Sequence, residues 1–180
     1  MQTRIGSIET LLLEGTFNTD NLEAILNKAN DLFSGSNGLM QCCSLELVPS
    51  MNYAFTALKN ALEERVIPKA KIKKPALNFL LWLYCVDQLE KAIEFAGQGD
   101  KFLLVIAAEN GAALKEALKA AKELGFVESK GLIEENLTEN KGKILDHFDI
   151  TQKALNAFSH LPEPNAIERL AMEKQALLSL

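Results

Sequence analysis

The sequence predicts an α/β (α+β) fold: a single domain over residues 1–180, built on a small mixed β-sheet of about four to five strands with several helices packed on it. Three observations carry that expectation. Short apolar or alternating runs take turns with longer stretches whose apolar residues recur at helical spacing. Glycine, proline and asparagine punctuate the changeovers. The chain is also 180 residues long and 48% hydrophobic, enough to bury one substantial core.

Taken in order, Ile8 to Leu13 has the composition of a short strand. Asp20, with Glu23 three residues on, has the form of a helix cap, and Leu22, Ile25, Leu26, Ala29, Leu32 and Phe33 then follow the helical period. The run GSNG, Gly35 to Gly38, breaks the chain. A strand is expected from Leu39 to Val48, with Leu45 and Leu47 on one face and Ser44 and Glu46 on the other. Pro49 and Ser50 open a helix striped by Met51, Ala54, Phe55, Leu58, Ala61 and Leu62. The loop ERVIPKAKIKKP comes next, and it concentrates Arg65, Lys69, Lys71, Lys73 and Lys74.

Pro75 suits the first turn of a helix, and the ALNFLLWLY that follows is apolar all round, so that helix must be buried. Asp87 with Glu90 is expected to cap a further helix, stopped by Gly97 and Gly99. Lys101 to Ala108, KFLLVIAA, reads as a central strand buried on both faces. Asn110 and Gly111 turn the chain into a helix carrying Leu114, Ala117, Leu118, Ala121 and Leu124; Gly125 closes it and Phe126 to Glu128 returns to the sheet. In the more polar last third, EENLTENKGK is a loop or helix start and Ile150 to Phe158 is helical. Asn165 caps a final helix with Ile167, Leu170, Ala171 and Leu178 on one side and Glu168, Arg169 and Gln175 away from it.

Charge and cysteine usage limit the function classes. A net charge of −5 excludes a nucleic-acid binder of the strongly basic kind, so any contact with phosphates needs a local patch, for which the Arg65 to Lys74 loop is the candidate. The apolar run from Pro75 to Val86 falls short of the roughly 20 residues that span a bilayer, and MQTRIGSIET has no apolar signal core. Cys42, Cys43 and Cys85 are odd in number and lack CxxC spacing, which points to a reducing, cytoplasmic setting without disulfides.

Catalytic chemistry finds little to stand on. His147 and His160 lack the spacing of a metal site, so no metal is expected, and Cys42 and Cys43 in an apolar strand read as small buried residues. A Cys85–His147 nucleophile would require the two to meet in the fold. GQGDK precedes a strand where a phosphate loop would follow one, so no nucleotide cofactor is implied; Gly111 could offer backbone N–H groups to an anion at its helix start. No catalytic residues are assigned, and the chain is expected not to be an enzyme. The alternative is a small-molecule-binding or enzymatic α/β domain with a pocket near Gly97–Gly111.

One stretch carries a family likeness. LVPSMNYAFTALKNALEERVIPKAKIKKPALNFLLWLYCVDQLEKAIEFAGQGDKFLLVIAAE resembles the core of the TPRKB family, the small kinase-binding subunit of the KEOPS/EKC complex. A helix leads through a basic loop to an apolar helix, a GxRQI-like turn, an AI helix and a buried strand. The closing AIERLAMEKQALLSL resembles the family's last helix. The likeness covers roughly Leu12 to Leu180 and is strongest from Met40 to Glu109. Where archaeal relatives carry SGQRQI, this chain has Tyr84, Cys85, Val86, Asp87, Gln88 and Leu89, so the glycine and arginine are replaced, and a glutamate usual in the preceding helix is Asn78. It is similar to a diverged archaeal member.

The resemblance implies a non-catalytic, regulatory subunit without cofactors, acting in tRNA processing. It would bind the atypical p53-related-type protein kinase subunit and help recruit tRNA through the CCA end for threonylcarbamoyladenosine modification. Lys69, Lys71, Lys73, Lys74 and Arg65 would then be RNA-binding through phosphate contacts, with Tyr53, Tyr84 or Trp82 as stacking surfaces if exposed. Ile167, Leu170 and Leu178 would belong to a partner-binding helix face. No membrane contact is implied.

Overall fold

The computed structural model describes residues 1–17, 22–34, 38–63, 72 and 74–178, and of residues 22 and 23 the backbone alone. The expected cap at Asp20 and most of the Gly35 to Gly38 break lie outside the described residues. Among those described, β1 (Gln2–Ile5), β2 (Ile8–Thr16), β3 (Leu39–Ser44), β4 (Lys101–Ala108) and β5 (Val127–Glu128) form one open sheet. The helices are α1 (Leu22–Leu32), α2 (Met51–Leu62), α3 (Pro75–Tyr84), α4 (Leu89–Ala96), α5 (Gly111–Glu123), α6 (Leu132–Glu139), α7 (Lys141–His147), α8 (Gln152–Ala157) and α9 (Glu163–Leu177). No described helix is long and apolar enough to cross a membrane.

The predicted α/β class is observed, but the sheet is not mixed. Its order is β1-β2-β4-β3, with β5 also on β2, and every pairing is antiparallel. Alternating strands and helices suggested some parallel neighbours. β2 and β3 do run the same way, joined through α1, but β4 is inserted between them and opposes both, which is a split β-α-β arrangement. β1 and β5 share the outer edge of β2: Gln2 lies opposite Leu11, and Thr16 opposite Val127. Gly15 permits the second of these contacts, because a Cβ there would collide with the Val127 carbonyl oxygen and the Phe126 ring.

β4 is apolar throughout because both of its faces are covered. Leu103, Val105 and Ala107 enter one core with Leu12, Leu39 and Cys43, under α2, α3, α4 and the C-terminal helices. Phe102, Leu104, Ile106 and Ala108 enter a second core with Met40, Cys42, Ile25 of α1 and Leu114, Ala117 and Ala121 of α5. The molecule is therefore three layers deep with the sheet in the middle.

Local boundaries show where side-chain hydrogen bonds override pattern. β3 ends at Ser44, not Val48, because the Ser44 hydroxyl accepts the Glu46 N–H and the Val48 N–H turns back to the Leu45 carbonyl. Ser50 caps α2 as expected, its side chain accepting the Tyr53 N–H. The cap residue of α4 is Gln88 and makes no side-chain cap bond, so Asp87 does not play that part. α9 starts at Glu163 behind Pro162, ahead of the expected Asn165 cap. The stretch read as a loop or helix start is two helices, α6 and α7, anchored by buried Asn136, whose amide donates to the Leu45 carbonyl at 2.7 Å.

Candidate functional site

Helix α3 organises the candidate residues. Its N-terminal end emerges from the basic loop. Lys74 is its cap residue, exposed and making no side-chain cap bond, and Pro75 occupies the first turn, where a missing N–H costs nothing. Arg65, Lys69, Lys71 and Lys73 lie outside the described residues. Ile72 packs against the main core. A groove of about 470 Å³ opens beside Lys74, between the end of α1 and the starts of β3 and α3, with Phe33, Gly38, Met40 and Pro75 in its lining.

The C-terminal end of α3 is wired shut. A helix leaves its last carbonyls without partners, and here side chains from three other helices supply them. The Tyr53 hydroxyl donates to the Leu83 carbonyl at 2.9 Å, the Gln175 amide to the Trp82 carbonyl at 3.0 Å, and His147 Nε2 to the Tyr84 carbonyl at 2.7 Å. Tyr84 in turn donates to the Ser44 carbonyl at 2.9 Å. Gln175, expected on the outer side of the last helix, is 1% exposed because it performs this capping.

This wiring removes the proposed stacking surfaces. Tyr53 and Tyr84 are fully buried and Trp82 is 1% exposed, so none of the three presents a face to a base. Burial pushes both phenols well above their usual range. Ile167 is likewise interior at 1% exposure, and Leu170 and Leu178 are half-buried against the same core. The stripe expected to meet a partner is the inner face of α9. A face apolar enough to bind another protein is equally suited to its own core, and here the core takes it. Among the described residues, the large apolar side chains left exposed are Met1, Leu26, Ile93, Val127 and Leu177.

His147 reaches the residue before Cys85, its Nε2 lying on the Tyr84 carbonyl. Cys85 follows Tyr84 directly, and the His147 ring lies edge-on to Phe95 and Phe148 at centroid distances of 5.2 and 4.8 Å. Their chemistry does not suit a nucleophile and base. Burial pushes the Cys85 thiol up to about 11, against a smaller downward pull from the Lys174 ammonium. His147 Nε2 is engaged with the Tyr84 carbonyl, and burial lowers its affinity for a proton against the upward pull of that bond. Cys85 itself adopts a left-handed backbone, φ 51, as the cap of α3.

The remaining candidates separate. Cys42 and Cys43 point to opposite faces of β3 and enter different cores, so they share no site; burial pushes the Cys42 thiol up to about 12 and holds the Cys43 thiol well above its usual value. His160 is exposed and stacks on Phe158. No group of three metal-ligating side chains occurs among the described residues. At Gly111 the expected anion position is filled from within: Asn110 Oδ1 accepts the Ala112 and Ala113 N–H groups, and the Glu9 carboxylate lies 3.1 Å from where a Cβ would stand.

A feature that sequence reasoning missed lies at the start of α2. A groove of about 310 Å³ has Met51, Ile133 and Leu137 in its lining together with Glu14, Glu134 and Glu168. These residues come from four separate segments, and no spacing in the sequence announces their meeting. The chain matches no protein-family model, and no curated protein matches it.

Proposed function

We propose that the protein is a non-catalytic subunit of a KEOPS/EKC-type complex, an archaeal cytoplasmic member of the TPRKB family that binds the atypical kinase subunit and assists tRNA recruitment. The observation that carries this reading is at Cys85. In the family's SGQRQI pattern the glycine falls at this position, and Cys85 is one of two non-glycine residues with positive φ among the described residues. A left-handed turn there is what a glycine would serve. The chain has kept the turn while changing the residue.

Two further points support the reading. The stretch with the strongest likeness, Met40 to Glu109, holds β3, α2, α3, α4 and β4, which together frame the main core. The Cys85 thiol and His147 imidazole are held in states that favour structure over reaction. Under this reading the kinase meets exposed apolar positions, of which Ile93 on α4 and Leu177 on α9 are at least half exposed.

Co-expression with an archaeal KEOPS kinase subunit tests the proposal. The two chains should co-elute on gel filtration, and Ile93→Asp or Leu177→Asp should weaken the complex while leaving the fold intact. Separate elution of wild-type chains at micromolar concentration overturns it.

A further inference from the structure

We propose that the groove between the starts of α2, α6 and α9 is a docking site for a basic, extended segment of a partner protein. The inference rests on the groove's own chemistry and is independent of the complex proposed above. Its floor is apolar: Ile133 and Leu137 are buried side chains that reach its surface, and Met51 is half-buried beside them. Its walls are acidic. Glu134 is exposed, Glu14 and Glu168 are half-buried, and none of the three makes an ion pair among the described residues. Lys141 pairs with Glu163, and Lys101 with Glu135 and Glu139; Lys130 lines only an adjoining groove.

Helix starts attract negative charge, and three of them converge here, so the carboxylates need to exceed what those ends require. Much of that requirement is met locally. Glu14 Oε2 accepts the Ile133 N–H at 2.8 Å, the Ser50 hydroxyl accepts the Tyr53 N–H, and Pro164 has no N–H to offer. Glu134 and Glu168 take none of these N–H groups and line the groove beside its apolar floor. Arginine and lysine match such a surface, because their stems cover apolar groups while their heads reach carboxylates.

The shape selects a segment over a single ion. A second groove of about 390 Å³ adjoins the first, sharing Glu14, Met51 and Glu134, and runs along β2 past Leu13 to Lys130. Lys130 supplies a cation in that part. The occupant therefore places its basic residues at the Glu168 and Glu134 end.

A short fluorescent peptide alternating arginine and leucine is the probe, with its glutamate-for-arginine counterpart as control, titrated by anisotropy into the full chain. Wild type should bind the basic peptide and not the acidic one, with methyl shifts at Ile133 and Leu137. The E134K/E168K variant should bind about tenfold more weakly or worse, whereas E90K/E116K, which changes net charge equally on exposed positions elsewhere, should change affinity less than about twofold. Thermal unfolding confirms that both variants stay folded. Equal weakening in the two variants, no binding by wild type, or a dimer of the chain dissolved by E134K/E168K each overturns the proposal.

Discussion

The two ends of α3 are opposites. At its start, Lys74 is exposed, makes no side-chain cap bond, and adjoins a stretch of cationic residues. At its end, Tyr53, Gln175 and His147, from three other helices, take up successive carbonyls, and the helix closes through a left-handed Cys85. One end is fixed in place by the whole fold; the other is free to meet something outside it. The difference is one of accessibility: hydrogen bonds from three helices hold one end, while the other presents a cation to solvent.

If the closed end bears the fold, the largest effect should come from Trp82. Trp82→Ala leaves a hole in a core where Trp82, Tyr53 and Phe79 are all 1% exposed or less, and should cost about 3–5 kcal/mol. Urea unfolding of the variant would measure it. A cost below about 1 kcal/mol would mean that the core around α3 relaxes freely, and the contrast between the ends would collapse.

A sharper test concerns the turn itself. At an ordinary half-buried position valine is better tolerated than glycine. At Cys85, with φ 51, a β-branched side chain crowds the backbone, so the order should invert: Cys85→Gly should be more stable than Cys85→Val by about 1 kcal/mol. Equilibrium unfolding of the two variants decides it. Valine ahead of glycine would mean that the left-handed turn is not held in solution, and it would remove the support that Cys85 gives to the proposed family.

His147 gives the closed end a pH signature. Its folded-state pKa lies below the ordinary 6.5, chiefly through burial, so the fold favours the neutral ring. The contribution to stability is complete above about pH 6.5, where the ring is neutral folded or unfolded. It is lost as pH falls through the lower folded value, because the unfolded chain takes the proton first. His147→Gln, whose amide can still donate to the Tyr84 carbonyl, should flatten the decline in stability between about pH 6.5 and pH 5. Thermal melts across that range test this, and an unchanged slope would assign the acid sensitivity to other groups.

Much of this contrast was legible in the sequence. Pro75 marked the start of α3, the all-round apolar ALNFLLWLY required burial, and KFLLVIAA required a central strand, because each depends on local composition that tertiary context reinforces. β1 escaped notice because QTRI is half exposed and gains its place only by pairing with β2. The antiparallel sheet escaped because β4's insertion between β2 and β3 is a long-range choice. The inner side of α9 was legible as a stripe, but a stripe does not say whether core or partner covers it. Gln175 and Asn136 read as surface polar residues, and only the fold reveals that each donates from its side-chain amide to a distant backbone carbonyl. The acidic groove had no sequence signal at all, since its walls come from β2, α6 and α9 and part of its floor from α2.

The smallest effect on stability should come from the open end. Lys74 is exposed, so Lys74→Glu should change the unfolding free energy by less than about 0.5 kcal/mol, near the limit of measurement. Its effect on binding should be out of proportion to that. If the proposed tRNA role holds and Lys74 touches a phosphate, the substitution should lower the slope of log affinity against log salt by about one unit. It should do so equally for different tRNAs, because phosphate contacts carry no base information. Filter binding over a salt series distinguishes the outcomes. A stable variant with a reduced slope marks the open end as a phosphate contact. An unchanged slope leaves Lys74 as a solvated cap, and moves any RNA contact to Arg65, Lys69, Lys71 and Lys73 or away from this loop altogether.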